Sequence, residues 1–327
     1  MRKPTSSNPD IAKDTRNFVE FIDTQCNSPK DIKAVNETKT FGDIRVIFEE
    51  MQHSHEIIPA MIEDRELPVG PDGNVSVRIV RPDGNYDNLP VIFYFHGGEW
   101  MKGSKNTHDR IIRTIANCAN SVVIFPDYSL SPENKYPKAI NECYDVIKYV
   151  IDNSFEFNIN NKKVAVAGDS AGGNIAAVMA IMAKEKGFPE INYQVLLYPL
   201  TNADFVFESV KDFSNGPWLT KNTLDCALEA YLEHIEDKYD IHVSPYFARC
   251  EDLEGLPPAL IITAENDPLR DDGELYARKL NECGVQASCV RFCGTIHGFM
   301  VFDGLKNSEA SRFAVNLMCK ALKNVFY

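Results

Sequence analysis

The chain has 327 residues, 44% of them hydrophobic and 25% charged, and its 34 Lys and Arg against 47 Asp and Glu give a formal net charge of −13. This composition is typical of a folded globular protein and excludes collagen-like, low-complexity and disordered chains. The acidic balance argues against nucleic acid or an anionic membrane surface as a partner, because both require clustered Lys and Arg. The longest apolar run in a helical context, residues 175–183, is too short for a membrane span of about 20 residues.

The first 70 residues are polar, with apolar positions at helical spacing. These positions are Phe18, Phe21, Ile22, Ile44, Ile47, Phe48 and Met51. The spacing predicts amphipathic helices in an N-terminal segment over residues 1–70, ahead of a main domain at 71–327. The start of the chain lacks the apolar stretch of a secretory signal, and the nine cysteines include no C-x-x-C pair. We therefore expect unpaired thiols and a cytoplasmic location.

From residue 75 onward, short β-rich runs alternate with helical segments. The predicted strands span residues 75–81, 91–95, 121–126, 163–167, 194–198, 259–263 and 287–292. The predicted helices span residues 109–118, 138–151, 172–184, 272–281 and 309–323. Several strands are continuous apolar runs, as expected where helices cover both faces of a parallel sheet. The alternation predicts a doubly wound α/β sheet, and the Pro-Asp-Gly turns at 71–73 and 82–84 predict a hairpin-like start.

Residues 201–245 interrupt this alternation. The stretch has no clear strand, and it contains Phe205, Phe207, Phe213, Trp218 and Tyr231. We interpret it as an excursion from the sheet that covers a functional site. A pair of ordinary connecting helices is the alternative.

The sequence Gly168-Asp169-Ser170-Ala171-Gly172 matches the pattern G-x-S-x-G. The pattern alone is weak evidence, because average Gly and Ser usage gives it by chance in about one chain in ten of this length. Here it lies between a predicted strand and a predicted helix, which is the setting of a nucleophile elbow. We predict Ser170 as a nucleophile at a helix N-terminus, where a developing anion is favoured. A Gly-rich turn with an ordinary serine is the alternative.

Two consecutive glycines follow the predicted strand at 91–95 directly, in His96-Gly97-Gly98. Backbone N–H groups in such a turn can converge on one point and bind the oxyanion of a tetrahedral intermediate. We predict the N–H groups of Gly97 and Gly98 as oxyanion donors. The N–H of Ala171, the residue after the nucleophile, is the predicted third donor. A plain Gly-Gly turn is the alternative.

Asp267 lies just past the predicted strand at 259–263, where α/β proteins place site residues. It is the predicted acid that orients a catalytic histidine. Glu265 is a weaker candidate for this role. Asp271 and Asp272 are interpreted as charges at the N-terminus of a helix.

His297 is the histidine that follows the last predicted strand, and it is the predicted general base. The chain order Ser170, Asp267, His297 is that of α/β-hydrolases and differs from the orders of chymotrypsin and subtilisin. A His-Ser-His sequence at 53–55 is accompanied by no third ligand motif, and we interpret it as surface. We expect no metal or organic cofactor.

Together these motifs resemble the hormone-sensitive-lipase-like branch of the α/β-hydrolases, and more narrowly its bacterial acetyl esterases and short-chain carboxylesterases. The matching stretches are His96-Gly97-Gly98, Asp127-Tyr128-Ser129-Leu130-Ser131-Pro132-Glu133, Gly168-Asp169-Ser170-Ala171-Gly172-Gly173-Asn174, Asp267-Pro268-Leu269-Arg270-Asp271 and His297-Gly298-Phe299. The resemblance implies an α/β-hydrolase fold with a mostly parallel sheet and a helical cap, in which the N-terminal segment joins the insertion at 201–245. Glu99 departs from the family pattern, which usually has glycine or another small residue there.

The resemblance implies a serine carboxylesterase that hydrolyses short, acetyl-like acyl esters through an acyl-enzyme. The partner is then a small-molecule ester, and a homodimer is compatible with the sequence. Asp127 and Glu133 are expected to be structural ties beside the oxyanion turn. One alternative is an amidase or arylformamidase, since His-Gly-Gly-x-Trp also occurs in arylformamidases. Another is a non-catalytic small-ligand receptor on the same fold, although such receptors lose a triad member and this chain has all three.

Overall fold

The computed structural model describes residues 4, 5, 7, 9–25, 41–52 and 58–327, and within them eight strands form one sheet. The strands are β1 (Ala60–Leu67), β2 (Val75–Pro82), β3 (Leu89–Phe95), β4 (Val122–Pro126), β5 (Ile159–Asp169), β6 (Tyr193–Leu197), β7 (Ala259–Asn266) and β8 (Ala287–Ile296). Their order across the sheet is β1-β2-β4-β3-β5-β6-β7-β8. Strands β3 to β8 pair in parallel, whereas β2 pairs antiparallel with both β1 and β4. The His-Ser-His sequence at 53–55 lies outside the described residues.

Helices cover both faces of this sheet. They are α1 (Lys13–Gln25), α2 (Phe41–Met51), α3 (Asp109–Ala119), α4 (Lys138–Asp152), α5 (Ala171–Glu185), α6 (Glu208–Asp212), α7 (Lys221–Tyr231), α8 (Cys250–Leu253), α9 (Arg270–Glu282) and α10 (Glu309–Phe326). Short 3-10 helices span Ile235–Tyr239, Pro245–Phe247 and Asp303–Leu305. Buried residues of α3 and α10 pack on one face, and buried residues of α4, α5 and α9 pack on the other.

Strand β3 shows why its sequence is a continuous apolar run. Val91 and Phe93 pack on the side of α4 and α5, while Ile92 and Tyr94 pack on the side of α3 and α10. Because successive side chains point to opposite faces, a strand covered on both sides needs apolar residues at every position. The predicted doubly wound sheet is confirmed, and each predicted strand and helix is present within a few residues of its predicted ends.

Strand β1 is absent from the sequence-based prediction, which placed the first strand at residue 75. β1 pairs along its whole length with β2, and the Pro-Asp-Gly turn at 71–73 joins the two as a hairpin. Residues 63–66 of β1 are all charged, and Leu67 alone in this strand is fully buried. Charged residues on an edge strand discourage pairing with other chains. They also leave the strand without the apolar pattern by which strands are predicted from sequence. The sheet therefore begins inside the segment predicted to precede residue 71.

The N-terminal helices and the 201–245 insertion meet at Phe302. The ring centroid of Phe302 lies 5.3 Å from that of Phe18 on α1, 6.5 Å from Phe48 on α2 and 5.2 Å from Trp218 in the insertion. We call these four residues the aromatic cluster. The insertion itself contains helices α6 and α7. The helical spacing predicted at Phe18 and Phe48 is thus confirmed, and both side chains are buried.

Four of the nine cysteines form the disulfides Cys118–Cys319 and Cys250–Cys283. The first joins α3 to α10 across 201 residues, and the second joins α8 to the end of α9 across 33. The prediction of unpaired thiols is wrong for these four, because cysteines far apart in the sequence become neighbours only in the fold. Disulfides are typical of oxidising compartments. The cytoplasmic location therefore loses this support and stays a prediction.

None of the helices in the described ranges combines the length and the apolarity that a membrane span requires.

Candidate active site

Ser170 lies in the turn between β5 and α5, with φ 56° and ψ −119°. Such a conformation is strained for a residue with a side chain and is often found at functional sites. The turn requires its glycines: a Cβ on Gly168 would lie 2.2 Å from the carbonyl oxygen of Gly172, and a Cβ on Gly172 would lie 2.0 Å from that of Phe95. The G-x-S-x-G pattern is therefore a steric requirement of this turn, which lifts Ser170 to the carboxyl edge of the sheet.

The structure brings Ser170, Asp267 and His297 together, as the sequence predicts. His297 Nε2 lies 2.9 Å from Ser170 Oγ, and His297 Nδ1 lies 2.8 Å from Asp267 Oδ2. Asp267 follows the last residue of β7, and His297 follows the last residue of β8. All three side chains are almost completely buried. This is the arrangement in which a base activates a nucleophile while a third group orients the base.

The competing carboxylates are engaged elsewhere. Glu265 Oε2 accepts the N–H of Gly294 at 2.7 Å. Asp271 lies in the first turn of α9, as predicted, and pairs with the adjacent guanidinium of Arg270 at 2.9 Å. Asp267 uses its second oxygen, Oδ1, to accept the N–H of Leu269 at 2.9 Å. Both oxygens of Asp267 thus have a fixed partner, which locks the orientation of the carboxylate toward the histidine.

The charge environment of His297 favours the protonated imidazole. Burial alone would lower the pKa of His297, but the adjacent Asp267 carboxylate outweighs it by charge and hydrogen bond, and the pKa lies above its ordinary value. The carboxylates of Glu99 and Asp169 act in the same direction. By contrast, burial, reinforced by nearby His108, lowers the pKa of His96 to about 3. His297 is therefore the better suited of these two histidines to take up a proton from Ser170 near neutral pH.

The predicted oxyanion turn follows β3 directly, and we call residues 97–102 the oxyanion loop. Its first N–H, that of Gly97, donates to Asp169 Oδ1 at 3.1 Å. This contact opposes the prediction of Gly97 as an oxyanion donor, because that N–H already has an internal acceptor. Ala171 is the first residue of α5, so its N–H has no acceptor within the helix. Gly98 adopts φ 115°, and a Cβ there would lie 2.1 Å from the carbonyl oxygen of Lys102.

Asp169 is a site residue whose role the sequence pattern did not reveal. Besides the N–H of Gly97, its Oδ1 accepts the hydroxyl of Tyr94 at 2.8 Å and lies 3.3 Å from His108 Nε2. Burial favours the neutral acid, but the charge and hydrogen bond of His108, with the hydroxyl of Tyr94, hold the pKa of Asp169 below its usual value. The carboxylate thus joins the nucleophile elbow to the oxyanion loop. The only sequence signal was its place inside G-D-S-A-G.

Glu99, where the chain departs from the resembled family, is buried and forms an ion pair with Lys102. The ammonium group of Lys102 also lies 5.4 Å from the ring centroid of Phe48 on α2. The carboxylate is therefore partly neutralised, although its charge still contributes to the raised pKa of His297. Within the described part of the chain, no group of three or more His, Cys, Asp or Glu side chains is arranged to hold a metal ion.

Comparison with known proteins identifies relatives with this fold. The model of the alpha/beta hydrolase fold family matches residues 92–301. The carboxylesterase NlhH of Mycobacterium tuberculosis is 35% identical over 306 residues, which is 92% of each chain. An arylesterase of Saccharolobus solfataricus is 35% identical over 266 residues, or 81% of each chain. The crystal structure of a thermostable esterase from Pseudomonas putida superposes with a TM-score of 0.92 at 35% identity, with 98% of each chain covered.

The fold and the site together define a hydrolase with a serine, a histidine and an aspartate at the carboxyl edge of an α/β sheet. The chain belongs to the α/β-hydrolase family, alongside these carboxylic ester hydrolases. The family resemblance and the fold class predicted from the motifs are thereby confirmed.

Proposed function

We propose that the protein is a serine carboxylesterase that hydrolyses esters of short acyl groups through a covalent acyl-enzyme. The observation that carries this proposal is the hydrogen-bonded series Ser170, His297, Asp267, with separations of 2.9 and 2.8 Å. The names of its relatives, a carboxylesterase and an arylesterase, support an ester rather than an amide as substrate.

The mechanism follows from the chemistry of these three groups. A serine hydroxyl is a weak nucleophile at neutral pH and needs an adjacent base. His297 Nε2 takes the proton of Ser170 as Oγ attacks the ester carbonyl carbon, and the imidazolium gives that proton to the departing alcohol oxygen. Asp267 keeps the other proton on Nδ1 and stabilises the imidazolium. In the second half, His297 Nε2 takes a proton from water, whose oxygen attacks the acyl carbon. The imidazolium then returns that proton to Ser170 Oγ as the bond between Oγ and the acyl carbon breaks, and the carboxylic acid leaves.

Backbone N–H groups stabilise the oxyanion in both halves of the reaction. We assign this role to Gly98 and Ala171, with Glu99 in place of the predicted Gly97. The N–H of Gly97 is held by Asp169 at 3.1 Å, whereas Gly98 and Glu99 lie directly beyond that anchor, in left-handed backbone. Gly97 then serves to fix the loop that presents the donors.

The N-terminal segment and the insertion at 201–245 form the cap in this proposal. Its aromatic cluster includes Phe302, which lies five residues beyond His297 and whose ring contacts that of Trp218 in the insertion. In this proposal the rings of the cluster form a wall of the acyl site and restrict it to short chains. Trp218→Ala should raise the ratio of kcat/KM for p-nitrophenyl octanoate to that for the acetate by about tenfold or more, because one ring of the wall is removed. Tyr239→Ala, at a 52% exposed position in the insertion, is the control. An unchanged ratio in Trp218→Ala would contradict the role of the cluster.

A fluorophosphonate probe tests the nucleophile, because it reacts with an activated serine. The wild-type protein should be labelled once, at Ser170, and Ser170→Ala should lose both label and ester hydrolysis. Labelling that persists in Ser170→Ala would refute the assignment. A series of p-nitrophenyl esters of increasing acyl length tests the substrate class. Turnover of N-formylkynurenine in excess of aryl acetate would instead indicate an arylformamidase.

A homodimer is a further part of the proposal. Strand β8 is the outermost strand of the sheet on its side, and the outer edge of such a strand can pair with another chain. Light scattering should give about twice the chain mass of 36.8 kDa. A mass equal to that of the single chain would refute the dimer.

A further inference from the structure

The oxyanion loop holds a strained backbone. Gly98, Glu99 and Trp100 follow one another with φ of 115°, 52° and 59°. Glu99 and Trp100 carry side chains, for which left-handed backbone is unfavourable and persists only where surrounding contacts impose it. The N–H groups of Met101 and Lys102 close the turn on the carbonyl oxygen of Gly98, at 2.9 and 3.0 Å. Because the proposed donors lie in this loop, the contacts that impose its shape also set the direction of the donors.

Arg45, on the N-terminal helix α2, donates to this loop from outside the sheet. Its Nε lies 2.8 Å from the carbonyl oxygen of Met101, and its Nη2 lies 2.9 Å from the carbonyl oxygen of Ser131. The N–H of Ser131 in turn donates to the carbonyl oxygen of Trp100 at 2.8 Å. One guanidinium group therefore holds the carbonyl of Met101 directly and that of Trp100 through Ser131.

Glu133 fixes the orientation of this guanidinium. Its two carboxylate oxygens accept Nη1 and Nη2 of Arg45 at 3.0 and 2.7 Å. Such a two-point contact holds the planar group in one orientation, so that Nε and Nη2 also point at the two carbonyls. Glu133 is thereby the structural tie beside the oxyanion loop that the sequence predicted.

Arg65 provides a contrast on the same molecule. Its side chain is 26% exposed, close to the 28% of Arg45, and it also contacts two carboxylates, those of Glu63 and Glu156. Ion pairs this exposed contribute little to stability. The feature that sets Arg45 apart is its donation to main-chain carbonyls next to the active site.

We propose that Arg45 is a positioning residue for the oxyanion hole, a role that rests on the proposed esterase function. Without its guanidinium, Glu99 and Trp100 are free to relax, and the N–H groups of Gly98 and Glu99 turn away from the oxyanion. The oxyanion exists in the transition state and not in the bound ester, so kcat and kcat/KM fall together while KM changes little. Misplacement by about 1 Å can cost on the order of 10²-fold in rate. We expect Arg45→Ala to lose about 10- to 100-fold in kcat.

The test compares Arg45→Ala, Arg45→Lys and Arg65→Ala in the full-length chain, with p-nitrophenyl acetate as substrate. Inhibition by a trifluoromethyl ketone is measured alongside, because the hemiketal that it forms with the serine places an oxyanion in the same hole. Arg45→Ala should weaken this inhibition by about the same factor as kcat, and the parent methyl ketone should bind nearly as before. Arg65→Ala should match the wild type within twofold in every measurement.

Arg45→Lys keeps the charge, but its three N–H donors leave from one nitrogen and cannot reproduce the separate directions of Nε, Nη1 and Nη2. It should lose part of kcat with unchanged KM, and it decides the question if Arg45→Ala does not fold. A variant at Arg45 that folds and keeps kcat within twofold, or that loses kcat/KM through KM alone, overturns the positioning role. A wild-type protein that hydrolyses no ester and takes no fluorophosphonate would instead refute the proposed function.

Discussion

Replacing Asp267 by Asn removes one charge from the site and changes almost nothing in shape. In the native protein, Asp267 Oδ2 accepts from His297 Nδ1 at 2.8 Å, and Oδ1 accepts the N–H of Leu269 at 2.9 Å. Two acceptors therefore face two donors. An amide has one oxygen and one NH₂ group, so Asn can satisfy only one of these partners in either orientation.

The orientation that keeps the Leu269 hydrogen bond turns the NH₂ group toward His297. Nδ1 must then be the acceptor, and the ring proton moves to Nε2. With that proton in place, Nε2 faces Ser170 as a donor and cannot take the proton of the serine hydroxyl. This wrong tautomer is expected to lower kcat by up to about 10⁴-fold. The loss of the carboxylate charge also lowers the pKa of His297, because burial lowers this pKa and the charge of Asp267 no longer raises it.

The assay is the dependence of kcat/KM on pH, with p-nitrophenyl acetate as substrate. In the wild type, activity should rise with pH as His297 loses its proton, with a midpoint above 6.5, since the folded pKa is raised from that value. In Asp267→Asn the residual activity should rise at a lower pH. The control is Glu265→Gln, two residues away, which should stay within about tenfold of the wild type. If Asp267→Asn kept its activity within tenfold, or if Glu265→Gln showed the larger loss, the acid would be wrongly assigned.

Two further predictions concern the elbow and the disulfides. Gly172→Ala should abolish activity or folding, because the new Cβ would lie 2.0 Å from the carbonyl oxygen of Phe95. Gly187 has φ 64° and no atom within 4 Å of a Cβ placed there. Gly187→Ala should therefore lower the free energy of unfolding by only about 1–2 kcal/mol, measured as a small fall in Tm. Equal losses in the two variants would argue against the steric reason. Reduction of the denatured protein should release four thiols beyond those that titrate without reductant, since two disulfides form. No increase would contradict both pairings.

The meeting of Ser170, Asp267 and His297 was predictable because each of the three residues has a local signature. Ser170 lies between two glycines that the turn requires. Asp267 follows β7, which is recognisable by its apolar run, and His297 follows β8, a β-rich stretch in which apolar and polar residues are mixed. In a parallel sheet the carboxyl ends of the strands share one edge. Residues far apart in the chain are thus brought to one place by topology alone, and the order of the motifs along the chain was enough to predict that they meet.

The remaining features depend on contacts that no local pattern records. The predicted donor role of Gly97 stays a prediction, and the contact between its N–H and Asp169, which opposes that role, is not visible in the sequence. Arg45 lies on an amphipathic helix, where any outward arginine looks like a solvated charge, and its partners are backbone carbonyls with no side-chain signature. Cys118 and Cys319 are 201 residues apart. In each case the partner is set by tertiary packing and not by spacing.

Glu99→Gly tests the most unusual residue of the oxyanion loop. Two like charges about 6 Å apart repel by roughly 3 kcal/mol at an effective dielectric of about 20, which corresponds to about 100-fold in rate. A free carboxylate in this loop would therefore oppose the oxyanion. In the structure the carboxylate is paired with Lys102, so most of that penalty is already cancelled. We expect kcat/KM for p-nitrophenyl acetate at pH 8 to stay within about fivefold of the wild type.

The pH profile should nevertheless move. Glu99 contributes to the raised pKa of His297, and its removal also leaves the ammonium of Lys102 without its carboxylate. Both changes disfavour the imidazolium, so the rise of activity should shift to lower pH. Glu99→Gln separates charge from backbone, because it shifts the profile in the same way but keeps a side chain at φ 52°. A gain of about 100-fold in Glu99→Gly would show that the carboxylate opposes the transition state despite Lys102. A loss of that size in both Glu99→Gly and Glu99→Gln would give the carboxylate a positive role, such as binding a cationic substrate, whereas a loss in Glu99→Gly alone would come from relaxation of the loop backbone.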